Sequence, residues 1–591
     1  MKDFFKYVLA TVVGLILFFV VISIIGAMSL VGMIASGEST KNVKDNTVFV
    51  LNLNSTMNER AENDLMSQFT GQMSKSVGLD DILNAINKAK DNDKIKGIYM
   101  EAGGFAPDSY ASLQAIRRAL LDFKKAGKWI VTYGDTYTTS EYYLASTADK
   151  ILINPQGMID WHGMAAQPYF LKDLLAKVGV KMQLAKVGTY KSAPEQFTSD
   201  HMSEPNREQI TAYVNGIWNN VLDDVSVSRK ISKDQLNQYA DSMIMFSTTD
   251  DYLKMKLVDK VMYADEVKNE VKALLKLDKD DDINQVNLAG MANVKKAKKE
   301  GEEIAVYYAY GNIVDSDSPS LTNQGEHLIV GKDVARDLLK LADDEDVKAV
   351  VLRVNSGGGS AYASEQIWHA MKQLKAKKPV VVSMGGMAAS GGYYISCIAN
   401  HIVAEPTTIT GSIGIFGMFP DMSELLTQKL GVKFDEVKTN ANSTFGSQAR
   451  PFNASEMAML NTYIDRGYKL FRSRVAEGRK LPVEAVEKIA QGRVWLGQDA
   501  LRIKLVDELG GLDLAVEKAA KLAKLDKYHT YAYPAKADWM EQLTKSATGD
   551  NYLNSQLKAT LGEFYMPFMM LKRLNYHSAI QARIPYVIRV E

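Results

Sequence analysis

Val347-Lys348-Ala349-Val350-Val351-Leu352, past the middle of the chain, reads like Ile95-Lys96-Gly97-Ile98-Tyr99-Met100, which lies 252 residues earlier. Tyr110-Ala111-Ser112 recurs as Tyr362-Ala363-Ser364 at the same offset. Working outward, Tyr142-Tyr143-Leu144 with Pro155 matches Tyr393-Tyr394-Ile395 with Pro406, and Gly179-Val180-Lys181 matches Gly431-Val432-Lys433. Lys256-Leu257-Val258-Asp259 matches Lys504-Leu505-Val506-Asp507. Five landmarks in one order, at offsets between 248 and 252, mark a duplicated domain.

Each copy alternates short apolar runs with segments of helical period. In the second, residues 305–310 and 349–354 read as strands, 365–374 as a helix, 380–383 as a strand and 390–398 as another helix. Such β-α alternation predicts an α/β fold with a largely parallel sheet and helices on its faces. The expected organisation is a stub and anchor over 1–37, a first repeat over 45–275, a charged junction over 276–303, a second repeat over 304–530 and an extension over 531–591. The junction is rich in Lys and Asp and reads as solvated chain.

The 591 residues exceed what one hydrophobic core supports, and a composition of 46% hydrophobic and 24% charged residues is that of a globular protein. Lys plus Arg and Asp plus Glu both total 70, so no basic excess points to nucleic acid. The only cysteine is Cys397, which excludes an intramolecular disulfide and any zinc site built on two cysteines. The seven histidines, His162, His201, His327, His369, His401, His529 and His577, form no short-range ligand pair. No metal motif is recognisable.

From Tyr7 to Gly37 there is no charged residue, a stretch longer than the roughly 20 residues that cross the hydrocarbon of a bilayer. It reads as a transmembrane anchor. Lys2 and Lys6 precede it and Glu38 follows, so the positive-inside bias places the amino terminus in the cytoplasm and the bulk of the chain outside. A cleaved signal peptide is the rival reading, with Ala27 and Ala35 as small residues near a cut, although the apolar run is long for one. The carboxyl-terminal stretch 564–571, with Met566, Met569 and Met570, reads as core or oligomer packing ahead of lipid contact.

Met387-Ala388-Ala389-Ser390-Gly391-Gly392-Tyr393-Tyr394 follows an expected strand and opens an expected helix. A serine there is presented at a strand-to-helix turn, and Gly391 offers a backbone NH where an acyl oxyanion could sit. Small residues that merely permit tight helix packing account for the same segment. Asn355-Ser356-Gly357-Gly358-Gly359-Ser360 also follows a strand; consecutive glycines can turn several NH groups inward, and a flexible turn explains them equally. The Gly-Lys-Ser/Thr ending of a nucleotide-binding loop is missing. A serine hydroxyl needs a base. No histidine stands in a triad signature, which disfavours histidine without excluding it, and a buried lysine suffices chemically. Spacing does not say which lysine.

At these residues the chain resembles the signal peptide peptidase A family of serine proteases, in its long, duplicated form. The resemblance runs from the anchor through both copies to about Val516, and is strongest at the serine segment, the glycine cluster and Gly188-Thr189-Tyr190-Lys191-Ser192-Ala193. It implies that Lys191, from the first copy, is the base for the Ser390 nucleophile of the second, and that Gly358, Gly359 and Gly391 stabilise the oxyanion. Ser192 could hydrogen-bond the lysine amine or be a simple turn residue. Family members usually carry proline where this chain has Gly357, which could loosen the loop without removing an NH.

The repeats bear on this independently of the family. At an offset of 251 Ser390 falls opposite Thr139, with Ser140 and Glu141 opposite the two glycines; at 252 Lys191 falls opposite Ser443 and at 250 opposite Ala441. Each copy lacks what the other carries, as one composite site between them requires.

The resemblance further implies a Clp-protease-like or crotonase-like fold, a homotetramer, and cleavage of remnant signal peptides or other apolar peptides beside the membrane, with no cofactor, metal or nucleic acid. It also implies a catalytic part on the outer, periplasmic side of the cytoplasmic membrane. Two other readings compete: a crotonase-like acyl-CoA enzyme, which needs no serine nucleophile, and a catalytically silent membrane scaffold.

Overall fold

The computed structural model describes residues 42–61, 76–294, 300–316, 327–536 and 580–583. The expected anchor at 7–37 and the stretch 564–571 lie outside the described residues. Among the described residues no helix is long and apolar enough to cross a membrane.

Two parallel sheets carry the two copies. In the first, β1 (Thr47–Leu53), β2 (Ile95–Ala102), β3 (Trp129–Tyr137) and β4 (Lys150–Ile159) lie side by side in the order β4-β3-β2-β1. Helices α1 (Tyr110–Lys125) and α2 (Thr139–Ala145) are the crossovers after β2 and β3. Lys260–Val261 extends the β4 edge, and Gln285–Asn287, inside the charged junction, pairs in parallel with β1. A short strand β5 (Lys181–Lys186) and a long helix α3 (Glu204–Arg229) complete the part of this copy that reaches the second.

The second copy repeats the plan with β6 (Glu302–Tyr310), β7 (Val347–Ser356), β8 (Gly358–Ser360), α4 (Ala361–Lys377), β9 (Val380–Ala389) and α5 (Gly391–Ser396). Its sheet runs β9-β7-β6 in parallel, with Tyr528–Tyr533 beside β6 and Ile409–Gly411 beside β9. Parallel strands covered by helices on both faces are buried on both sides, which is why β7 reads as a near-continuous apolar run. Large apolar cores lie under each sheet. The strands and helices expected at 305–310, 349–354, 365–374, 380–383 and 390–398 all form, each sheet strand running a few residues longer than its apolar run.

A third sheet joins the copies. Strand β10 (Phe416–Asp421) of the second copy pairs antiparallel with β5 of the first, from Phe416 opposite Lys186 to Asp421 opposite Lys181. On its other side lies β11 (Ile580–Arg583), and beyond that β8. Helix α6 (Ala454–Arg479) packs behind this sheet. Ion pairs tie the copies elsewhere: Arg118 on α1 forms a two-pronged pair with the buried Glu405, at 2.9 and 2.7 Å. Planar guanidinium and carboxylate geometry makes that contact directional as well as attractive.

Candidate active site

Ser390 sits where β9 ends and α5 begins. Its amide donates to the Gly411 carbonyl (2.8 Å) and its own carbonyl accepts from the Tyr394 amide (2.8 Å), so the turn is gripped from both sides. The backbone there has φ 55° and ψ −113°. A non-glycine residue in so sparsely populated a region costs about 1–3 kcal/mol and persists only where its surroundings hold it. That turn projects the side chain off the carboxyl edge of the sheet. Helix α5 is six residues long, so the donors near Ser390 are individual amides more than a helix dipole.

Lys191 arrives from the other copy. Past β5, the Val187 amide donates to the Ile415 carbonyl (3.4 Å), the Thr189 amide to Gln491 Oε1 (3.1 Å) and the Tyr190 amide to the Gln491 carbonyl (2.9 Å). The lysine stem then lies in a slot with glycine walls. A Cβ on Gly492, whose φ is +79°, would stand 2.6 Å from Lys191 Cβ, and one on Gly414 would stand 3.2 Å from its Cδ. Only glycine fits the first of these without displacing the lysine backbone.

Across the seam Lys191 Nζ lies 2.7 Å from Ser390 Oγ, 3.0 Å from the Ser412 carbonyl oxygen and 3.0 Å from Ser412 Oγ. Lys191, Ser390 and Ser412 are all fully buried. Burial pushes the amine well below the ordinary lysine value, because removing water penalises the ammonium more than the neutral form. A neutral amine has two N–H donors and one lone pair. Its three contacts, to Ser390 Oγ and to the two Ser412 oxygens, are as many as such an amine can make.

Ser412, not Ser192, is the serine beside the amine. Ser192 Oγ instead accepts from Gln209 Nε2 on α3 (2.8 Å), and Gln209 Oε1 accepts from the Val494 amide (3.1 Å), so this pair fastens the Lys191 segment to the second copy. Ser412 has no local signature: it follows a strand as one more small residue, at φ 51°. His162, His201 and His401 are engaged with Asp160, Asp200 and Glu508.

Gly358 and Gly391 meet beside Ser390. A Cβ on Gly391 would come within 3.1 Å of Gly358 Cα, and one on Gly358 (φ +100°) within 2.7 Å of the Gly391 amide nitrogen. The Gly358 amide donates to Ser356 Oγ (3.1 Å), and Gly359 lies opposite Ile313 in the third sheet. Of the three glycines, Gly391 and Gly358 therefore converge, while Gly359 is engaged one residue further along.

Residues that sequence reasoning passed over hold this loop. Arg353 and Asn355, on the end of β7, meet carboxylates from the first copy: Arg353 Nε donates to Glu59 Oε1 (2.6 Å), and Asn355 Nδ2 donates to Glu59 Oε2 (2.9 Å) and Asp108 Oδ2 (2.8 Å). Asn355 Oδ1 accepts from the Met387 amide (3.1 Å), three residues before the serine. Burial, then the Glu59 charge, pushes Asp108 up to about 6.

The corresponding place in the first copy is closed. There the amides of Gly103, Gly104 and Phe105 all donate to Glu141 Oε1, at 3.0, 2.8 and 3.0 Å. Glu141 stands opposite the second of the two glycines after Ser390. Three inward amides in one copy are filled by the chain's own carboxylate; in the other, the loop borders a serine. Among the described residues no cluster of His, Cys, Asp and Glu could hold a metal.

A hydroxyl paired with a buried amine on duplicated α/β sheets defines a serine hydrolase of Clp-protease-like architecture, and the relatives of the chain agree. The model of peptidase family S49 matches residues 122–278 and 372–526, one stretch in each copy and together more than half of the chain, and a Clp protease model matches residues 301–407. The chain is similar to Protease 4 of Salmonella typhi (40% identity, covering 79% of this chain and 76% of that one). It is also similar to Protease 4 of Haemophilus influenzae (36%, covering 84% and 82%) and to the chloroplastic serine protease SPPA of Arabidopsis thaliana (30%, covering 78% and 68%). The chain belongs to peptidase family S49, with its domain duplicated, and is a serine protease.

Proposed function

We propose that the chain is a membrane-anchored serine endopeptidase that cleaves remnant signal peptides or other apolar peptides with a dyad divided between its copies, Ser390 as nucleophile and Lys191 as general base. The observation that carries this is the 2.7 Å approach of Lys191 Nζ to Ser390 Oγ, made by a fully buried amine. Neutral Lys191 takes the Ser390 proton as the oxygen attacks a peptide carbonyl. The Gly391 amide, joined by Gly358 as its N–H turns from Ser356 Oγ, receives the oxyanion, with Gly359 bracing the turn. Lys191 then protonates the leaving amine, and later draws a proton from the water that clears the acyl-enzyme. Ser412 aims the amine throughout.

The uncharged run at 7–37 supports an anchor in the cytoplasmic membrane with the catalytic part on its outer, periplasmic face, which places the site near apolar substrates. A homotetramer belongs to the same reading. Hydrolysis of an apolar peptide by the parent chain, together with fluorophosphonate labelling lost in Ser390→Ala and turnover lost in Lys191→Ala, is the expected result. Undiminished turnover in both variants would sink the assignment.

A further inference from the structure

The segment Gln491-Gly492-Arg493 of the second copy runs behind Lys191 and Ser412 together. The Gln491 carbonyl accepts from the amide of Tyr190, one residue before the lysine, at 2.9 Å. Gly492 backs the Lys191 stem, and its amide donates to the carbonyl of Ile413, one residue past Ser412, at 2.8 Å. The Arg493 carbonyl accepts from the Ser412 amide itself (2.7 Å). Beyond it the chain forms a short strand, Val494–Leu496, antiparallel to Ile409–Gly411. Gly411 is the residue whose carbonyl holds the Ser390 amide.

The Arg493 side chain returns to the other end of the same contact. Its Cζ lies over two rings, 4.8 Å from the centre of Tyr190, in the first copy, and 4.5 Å from that of Trp495, in the second. Its Nη1 donates to the Tyr190 hydroxyl (3.2 Å), and its Nη2 pairs with Glu208 Oε1 on α3 (2.9 Å). The Tyr190 hydroxyl donates in turn to Glu208 Oε2 (2.9 Å), and Trp495 Nε1 to the Ile489 carbonyl (2.9 Å). An ion pair whose carboxylate is 53% exposed contributes little by itself. A planar guanidinium over one ring from each copy is directional, and a lysine ammonium would keep the charge without the plane or the fork. Burial is what lowers the Lys191 amine, and the groups at its Nζ, Ser390 and Ser412, are uncharged. Arg493 therefore acts on the amine through position and not through its charge.

We propose that Arg493 is a positioning residue for the amine: its carbonyl sets Ser412 and its guanidinium sets Tyr190, so one residue fixes both sides of the contact between Lys191 and Ser412 across the seam of the two copies. The inference rests on the Ser390 and Lys191 reading and adds the device that keeps the amine aimed and dry. Loss of the side chain releases Tyr190 from the second copy at the solvent-facing end of the lysine segment. The segment then moves against Ser412, and water gains access to the amine. Because the Arg493 side chain is itself 23% exposed, a small planar cation added to the solution can reach the place it leaves.

The test compares the full chain with full-length Arg493→Ala and Arg493→Lys in hydrolysis of an apolar peptide across pH, with and without added methylguanidinium. Arg493→Ala is expected to lose about tenfold to a hundredfold in kcat, the scale of a misplacement near 1 Å. Its KM should stay within about twofold of the parent value. The acidic limb of kcat/KM is expected at higher pH than in the parent, because a wetter amine holds its proton more readily. Methylguanidinium should recover part of the rate and bring the limb back, and Arg493→Lys, which keeps the stem and the pair with Glu208, should fold and show the same displaced limb. A folded variant with kcat and limb unaltered would overturn the proposal, as would a change confined to KM or full activity in Arg493→Lys. Position is read separately in Ser390→Ala backgrounds, which need no turnover: amide hydrogen exchange at 189–192 and 412–414 is expected to rise in Arg493→Ala and to fall when methylguanidinium is added. Exchange unaltered by the substitution would overturn the proposal whatever the fate of the catalytic assignment. Absence of turnover in every chain, with the exchange pattern as expected, would count against the dyad and leave the role of Arg493 standing.

Discussion

Replacement of Ser412 by alanine tests the neutral-amine geometry directly. The substitution removes Oγ, one of the two Ser412 oxygens at 3.0 Å from Lys191 Nζ, and leaves the carbonyl in place. Alanine tolerates the φ of 51° about as well as serine does, so the backbone is not the perturbed element. A hydrogen bond from a charged donor contributes about 1.5–3 kcal/mol and one from a neutral donor about 0.5–1.5 kcal/mol. The hydroxyl therefore favours the ammonium over the amine by about 1 kcal/mol, and its loss lowers the amine further. The loss of aim acts on rate: a base released from one of three contacts is expected to lose about tenfold to a hundredfold in kcat, a part of the roughly 100-fold to 10,000-fold that general base catalysis typically supplies. The assay is kcat and kcat/KM for an apolar peptide across pH. The expected profile has a lower plateau and an acidic limb displaced to lower pH, with KM little altered. An unchanged plateau, or a limb displaced upward, would refute the assignment of Ser412 as the partner that orients the amine.

Four further outcomes follow from the same geometry. In the parent chain kcat/KM is expected to rise with the loss of one proton, at a pH well below the ordinary lysine range, because burial lowers the amine; a flat profile would count against a lysine base. Lys191→Met should abolish turnover yet raise stability at neutral pH. The folded amine titrates below the unfolded value of 10.5, so the unfolded chain holds the extra proton between the two values and parent stability climbs with pH across that window; the advantage of the variant in thermal melts should shrink as pH approaches 10.5. Gly492→Ala, whose Cβ would stand 2.6 Å from Lys191 Cβ, should lower kcat by at least about tenfold and leave a folded chain, checked by circular dichroism beside the kinetics. Glu141→Ala removes the shared acceptor of three amides of the first copy, of which that of Phe105 is buried, and should cost about 1–3 kcal/mol in denaturant unfolding, with nothing gained in activity.

How much was legible in the sequence divides along physical lines. The duplication, the parallel α/β plan and the strand-to-turn placement of Ser390 were readable because strand and helix periodicity are local properties, and because two copies of one pattern report each other. The repeats also showed that each copy lacks what the other carries, since Thr139 stands opposite Ser390 and Ser443 or Ala441 opposite Lys191. The proposed pairing of Lys191 with Ser390 came from family resemblance; local pattern did not single that lysine out. Lysine becomes a base only by losing water, and its burial is supplied by Gly414, Gly492 and Ser412, each more than 200 residues away in the chain.

The same reason decides between the two readings left open at Ser192. Adjacency put it next to Lys191, but neighbouring side chains on an irregular segment point apart, and α3 offers Gln209 to the one while β9 and the Ile409–Gly411 strand offer Ser390 and Ser412 to the other. The carboxylate support of Asn355 and the Glu141 plug are likewise products of chain crossing chain. The sequence by itself determined the two folding units and the asymmetry between them, because those follow from hydrophobic period and residue identity. The tertiary structure alone decided the burial of Lys191, its approach to Ser390 and its contacts with Ser412, because burial and long-range pairing exist only once the two copies have closed on each other.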